Sequence, residues 1–187
     1  GKEAEPIITR VLSITPTENG KSMILAVDNK KNLFNISDSS NSTSICVEGD
    51  VIECMPSKVY GNSISLDENS FVRKLDNDGS IPLLSQLRTK INDVKVDASY
   101  CIEAIVLKVP ERREVQTKSG ESIALSEMFV EDDTGQIWVK GWRNQARVID
   151  KCELGEIISV TGLNAKPGLE GRIELFITPF SKITKKN

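Results

Sequence analysis

The sequence predicts an all-β chain of two tandem five-stranded barrels, each with at most one or two short helices. Three observations predict it. Apolar and polar residues alternate over short runs broken by Gly, Asn, Asp and Pro, the pattern of short strands joined by turns. The runs fall into two sets of five. Segments of the first set recur, in order, in the second.

The first set is Ile7–Ile14, Ser22–Val27, Asn32–Ile36, Asp50–Pro56 and Ser63–Leu66. The second is Tyr100–Val109, Ser122–Glu131, Gln136–Trp142, Ile157–Gly162 and Arg172–Ile177. Cys46-Val47-Glu48-Gly49-Asp50-Val51-Ile52 matches Cys152-Glu153-Leu154-Gly155-Glu156-Ile157-Ile158, both reading Cys, two residues, Gly, acid, two aliphatics. Gly61–Leu66 resembles Gly171–Leu175 with one residue dropped, and Ser70–Lys74 resembles Ser181–Lys185. Between the copies, Asp76–Ser80 is polar and turn-rich. Ser80–Leu87 then reads as a short helix capped by Ser80, its apolar side plugging the second barrel. Arg143–Ile149 reads as another short helix between the third and fourth strands. Five strands with a helix after the third is the OB-fold arrangement. The expected division is 1–75 for a divergent, acidic first barrel, 76–87 for linker and helix, and 88–187 for the second barrel.

Composition agrees. Hydrophobic residues make up 39% of 187 residues, lean for one large core but enough for two small ones. Net charge is −3, unevenly spread: residues 1–87 hold eight Lys/Arg against twelve Asp/Glu, and residues 88–187 hold sixteen against fifteen. The second half is the better partner for a phosphate backbone. No CxxC pair occurs and His is absent, so Cys/His metal ligation has no support and no cofactor is expected. Cys46, Cys54, Cys101 and Cys152 read as small buried hydrophobes, reduced as in a cytoplasmic protein. No apolar run approaches the roughly 20 residues of a membrane span, and no signal-peptide pattern opens the chain. No phosphate-cradling Gly loop or nucleophile elbow occurs, and Glu131-Asp132-Asp133 reads as a hairpin turn rather than a cation site. The chain is expected not to be an enzyme.

The most informative segment is Glu131–Arg143. Asp133-Thr134-Gly135 is a turn signal. After it Ile137, Val139 and Gly141 share one face, the core side, and Trp138, Lys140 and Trp142 share the other. Two exposed indoles flanking an amine suit single-stranded nucleic acid: bases stack on the rings, at about 1–3 kcal/mol per base, and the amine meets phosphate. The competing role for each Trp is packing under a loop or at the barrel base. Phe129 extends the platform if it faces outward, and packs in the core otherwise. Pro110–Gly120, with Arg112, Arg113 and Lys118, and Asn164–Arg172, with Lys166 and Arg172, are expected as the two loops rimming an OB-fold groove. Arg143 follows the strand. In the first barrel Phe34 aligns with Trp138, with Tyr60 and Lys58 near the rim as weaker candidates.

On these residues the stretch from Leu84 to Ile183 resembles an OB-fold domain of archaeal replication protein A. The pattern is Arg113-Glu114 after the first strand, Lys118-Ser119-Gly120, Asp132–Gly135, a strand ending in Trp142, and Gly155-Glu156 before the fourth strand. The resemblance covers about half the chain. It implies single-stranded DNA binding through Trp138, Lys140, Trp142, Arg112, Arg113 and Lys118, in replication, recombination or repair. Ala124-Leu125-Ser126 stands where family members often carry an aromatic. The alternatives are a protein-interaction subunit of a replication or repair complex, its contacts made through the acidic first barrel, or an RNA-binding OB-fold protein.

Overall fold

Alternating patterns of this kind place one face of each strand in a core, and the computed structural model, which describes residues 5–186, is built on that rule. The chain divides into two units that part between Leu87 and Arg88. Among the described residues the first unit has seven strands: β1 (Ile7–Pro16), β2 (Ser22–Val27), β3 (Leu33–Asp38), β4 (Val51–Met55), β5 (Lys58–Tyr60), β6 (Ser63–Leu66) and β7 (Phe71–Leu75). Their order is β5-β6-β3-β2-β1-β4-β7. The pairing of β3 with β6 is parallel, Ile36 opposite Ile64. Val11, Ile24, Ile36, Ile52 and Ile64 form the core. The four-residue α1 (Leu84–Leu87) ends this unit.

The second unit holds β8 (Ser99–Val106), β9 (Glu111–Gln116), β10 (Ser122–Glu131), β11 (Gln136–Trp142), α2 (Ala146–Asp150), β12 (Ile157–Pro167), β13 (Ile173–Phe176) and β14 (Lys182–Lys185). Here too one pairing is parallel, β11 with β13, Val139 opposite Leu175. β12 pairs with β8 and β14 along its first part and with β13 at its end. Five principal strands, a helix after the third and a parallel contact between the third and fifth define an OB-fold barrel. Ile102, Ala104 and Val106 of β8 enter its core with Met128, Val130, Val139 and Leu175.

The repeat reaches the hydrogen bonds. The Gly49 N–H donates to the Val11 carbonyl and the Val11 N–H to the Asp50 carbonyl, each at 2.8 Å. In the second unit Gly155 donates to Val106 at 2.8 Å and Val106 to Glu156 at 2.9 Å. Both glycines have positive φ, 97° and 85°, a conformation that favours Gly. The acid that follows closes each turn: Asp50 accepts from the Val47 N–H at 2.9 Å and Glu156 from the Glu153 N–H at 2.5 Å. Each then pairs with a lysine of the last strand, Lys74 at 3.3 Å and Lys185 at 3.0 Å. Ser70 and Ser181 likewise accept equivalent backbone N–H bonds, from Asp67 and Thr178.

Three expectations are corrected. Pro110–Gly120 is not a rim loop: residues 111–116 form β9, paired with β10 from Glu111 opposite Glu127 to Gln116 opposite Ser122. The helix expected over Ser80–Leu87 is only α1. The Arg10 guanidinium instead holds the stretch before it, donating to the carbonyls of Gly49 (2.8 Å), Asp78 (2.9 Å) and Ile81 (3.1 Å). The apolar residues that enter the second core from upstream are Ile91 and Val94. The Asp-Asp-Thr-Gly hairpin clips that segment in place: Asp132 accepts from the Ile91 N–H at 2.8 Å, Thr134 from the Asn92 N–H at 3.1 Å, and Asp133 pairs with Lys90 at 2.7 Å.

All four cysteines are buried free thiols, and burial pushes Cys54 and Cys152 up to about 11, which keeps them protonated and inert. Among the described residues no helix is long and apolar enough to cross a membrane.

Candidate nucleic-acid interface

β11 is buried at Ile137, Val139 and Gly141 and partly exposed at Trp138, Lys140 and Trp142. Gly141 permits the turn into α2, because a Cβ there would lie 2.5 Å from the Gln145 carbonyl oxygen. The partner strand sets the neighbours of the outward face. Phe129 stands opposite Trp138, Glu127 opposite Lys140 and Leu125 opposite Trp142. The Phe129 and Trp138 rings lie 4.9 Å apart, tilted by 47°.

A cation does stand over the aromatics, but it is Lys108. Its ammonium lies 5.4 Å from the Phe129 ring centre and 5.5 Å from that of Trp138, within cation–π range. Asn92, Gln136 and Arg172 complete a groove of about 630 Å³ around these three residues. Sequence reasoning missed Lys108 because it fell inside an expected strand, Tyr100–Val109. β8 stops at Val106, and Pro110 was the signal that could have shortened it.

The predicted cations divide into two groups. Lys140 is engaged by Glu174, with Glu127 at 3.7 Å, and its side chain is 17% exposed. Arg113 pairs with Glu127 at 2.9 Å and Arg143 with Glu121 at 2.8 Å. Arg112 pairs with Asp150, which also accepts the Ser126 hydroxyl. Each of these charges is already balanced. Lys118, at the tip of the β9–β10 hairpin, and Lys166, at the end of β12, are exposed. Arg172 is exposed and donates to the Leu169 carbonyl at 3.3 Å. Together with Lys108, these have no carboxylate partner among the described residues.

In the first unit Phe34 does not occupy the place of Trp138. It stands opposite Ala26 and packs against the core. Counted from the hairpin it corresponds to Ile137, opposite Val130, and Asn35 takes the outward place. A slip of one residue exchanges the faces of a strand. Tyr60, 89% exposed, and Lys58 lie on β5, at the end of the sheet order.

Fold and surface together define a tandem OB-fold protein whose second barrel carries an aromatic and cationic groove. No family model matches the chain. It is similar to Replication factor A of Methanothermobacter thermautotrophicus, 25% identical over 93 residues, which is 50% of this chain and 12% of that protein. The chain thus spans only a small part of the curated relative's length. Among solved structures it is similar to a murine DNA binding protein bound with ds DNA, with a TM-score of 0.62 and 16% identity over 98% of this chain and 97% of that one. It is also similar to a replication protein A heterotrimer bound to ssDNA, with a TM-score of 0.59 and 12% identity over 100% of this chain and 49% of that one. These likenesses bear out the OB-fold architecture of the whole chain.

Proposed function

We propose that the chain binds single-stranded DNA through the second barrel, as a binding module rather than an enzyme. The observation that carries this reading is the Phe129–Trp138 pair with Lys108 over both rings. Bases stack on Trp138, Phe129 and Trp142, and the unbalanced cations Lys108, Arg172, Lys166 and Lys118 meet the phosphates. The ion-paired Arg112, Arg113, Lys140 and Arg143 order the surface around them. Similarity to Replication factor A supports a role in replication, and the proposal extends to recombination and repair on single strands. A solved relative bound to duplex DNA supports a second reading. Single strands are favoured because rings stack only on bases that are free of their own stack.

Both tryptophans of the chain lie on β11, so intrinsic fluorescence reports the groove directly. Titration with single-stranded oligonucleotides at low salt is expected to quench it, and duplex of the same sequence to quench it less. Equal quenching by duplex would favour the second reading. No quenching by either at micromolar concentration would remove both.

A further inference from the structure

A second cleft of the second barrel, of about 640 Å³, shares no lining residue with the groove around Trp138. Its floor is set by the alternation of β8, which sends Ala104 and Val106 into the core and leaves Ile105 partly exposed between them. Ile105 stands opposite Ile157 at the start of β12 and, on its other side, opposite Glu131 of β10. Opposed residues of antiparallel strands share a face, so Glu131, Ile105 and Ile157 form one outward row across three strands. Ile157 is 40% exposed. Adjoining aliphatic side chains on a wet face, rimmed by charges, mark a contact surface. The rim decides what fits. Glu103 is paired with Arg88 and Asp133 with Lys90, each at 2.7 Å, and Lys186 reaches Glu103 from outside the cleft at 3.6 Å. Glu131 accepts from the neutral Gln136 amide at 3.0 Å, and Asp132 from backbone N–H groups and the Thr134 hydroxyl. Neither has a cation partner among the described residues. Four carboxylates thus face three cations, and the surplus negative charge lies on the wall formed by Glu131 and Asp132.

We infer that this cleft docks a second protein, through a short segment in which an aliphatic side chain adjoins Lys or Arg. The aliphatic group covers Ile105 and Ile157. The cation meets Glu131 and is drawn also by the charge of Asp132 beside it. Such complementarity selects the partner more than it tightens the contact. Nucleic acid does not fit: its phosphates would meet the surplus carboxylates, and none of the residues lining the cleft is an aromatic on which a base could stack. An acidic segment is repelled in the same way. The inference stands apart from the single-strand reading, because the groove contributes no residue to the cleft.

The test selects a random library of short peptides, displayed on phage, on the whole chain, with counter-selection on Ile157→Asp. Glu131→Lys takes its place should Ile157→Asp lose the thermal transition of the tryptophan signal. The recovered peptides are expected to carry Lys or Arg beside Leu, Ile or Val. A labelled synthetic peptide of the recovered sequence, followed by fluorescence anisotropy, is expected to bind Glu131→Gln more weakly by up to about fivefold, the worth of one partly exposed ion pair. Recovery of acidic peptides, recovery of none, or an affinity untouched by Glu131→Gln would overturn the inference. Sedimentation of the chain alone supplies the remaining arm. Dimerisation that Ile157→Asp abolishes would assign the cleft to a second copy and overturn the inference as well.

Discussion

The ammonium of Lys108 stands 5.5 Å from the centre of the Trp138 ring, reaching it from the turn beyond β8. In the proposed reading the Trp138 ring stacks a base, and the Lys108 ammonium that stands over it meets the adjoining phosphate. Trp138→Ala is expected to weaken binding of a labelled single strand by about 1–3 kcal/mol, the worth of one stacked base. Fluorescence anisotropy measures it without relying on the deleted indole. Lys108→Ala is expected to weaken binding as well, and Lys108→Arg to retain most of it.

Salt dependence separates the two groups of cations. Each phosphate contact on a single strand contributes about −0.7 to the slope of log K against log salt. Lys108→Ala and Arg172→Ala are each expected to flatten the slope by about that amount. Arg143→Ala, which removes a charge already balanced by Glu121, is expected to leave it unchanged. A flatter slope from Arg143→Ala would show that Glu121 releases it to the ligand.

Arg10 is buried, and its hydrogen bonds run to the main-chain carbonyls of Gly49, Asp78 and Ile81. Arg10→Met keeps the stem and removes the donors. It is expected to destabilise the first unit by about 1.5–3 kcal/mol. Urea unfolding followed by circular dichroism should shift, while the tryptophan transition, which reports β11 of the second unit, should not.

Asp132 supplies a pH dependence of known sign. Burial raises its carboxyl, but hydrogen bonds from the Thr134 hydroxyl and the N–H groups of Ile91, Thr134 and Gly135 outweigh this and hold it below its ordinary value of 3.8. A group lowered on folding stabilises the fold above its unfolded value and loses that contribution as pH falls through the folded one. Acid is therefore expected to loosen the clip on Ile91 below about pH 4. Asp132→Asn should lower stability at neutral pH and flatten the profile between about pH 5 and 2, measured as the thermal midpoint of the tryptophan signal.

Much of this architecture was legible in the sequence. β10 and β11 have the expected bounds, because strict alternation after an Asp-Thr-Gly turn fixes both register and face. The Gly49 and Gly155 turns were legible because a positive φ leaves few residue choices. β9 was not legible: Glu-Arg-Arg-Glu-Val-Gln has no apolar face, since an edge strand with both sides wet needs none. The outward face of the candidate site was legible in its rings and not in its charges. Alternation along one strand places Lys140 outward, but only the strand order brings Glu174 and Glu127 beside it. Phe34 was misplaced because the two hairpins differ by one residue in length, which flips its face.

The Gly–acid turn that both units share makes its bonds from main chain, one carboxylate and one lysine, and asks nothing of the outer surfaces. The two units keep this turn while their outward faces differ, Asn35 standing where the second unit has Trp138. The chain therefore offers an engineer a ready acceptor: the outward Asn35 in the first copy marks the position at which an indole from the second is to be transplanted.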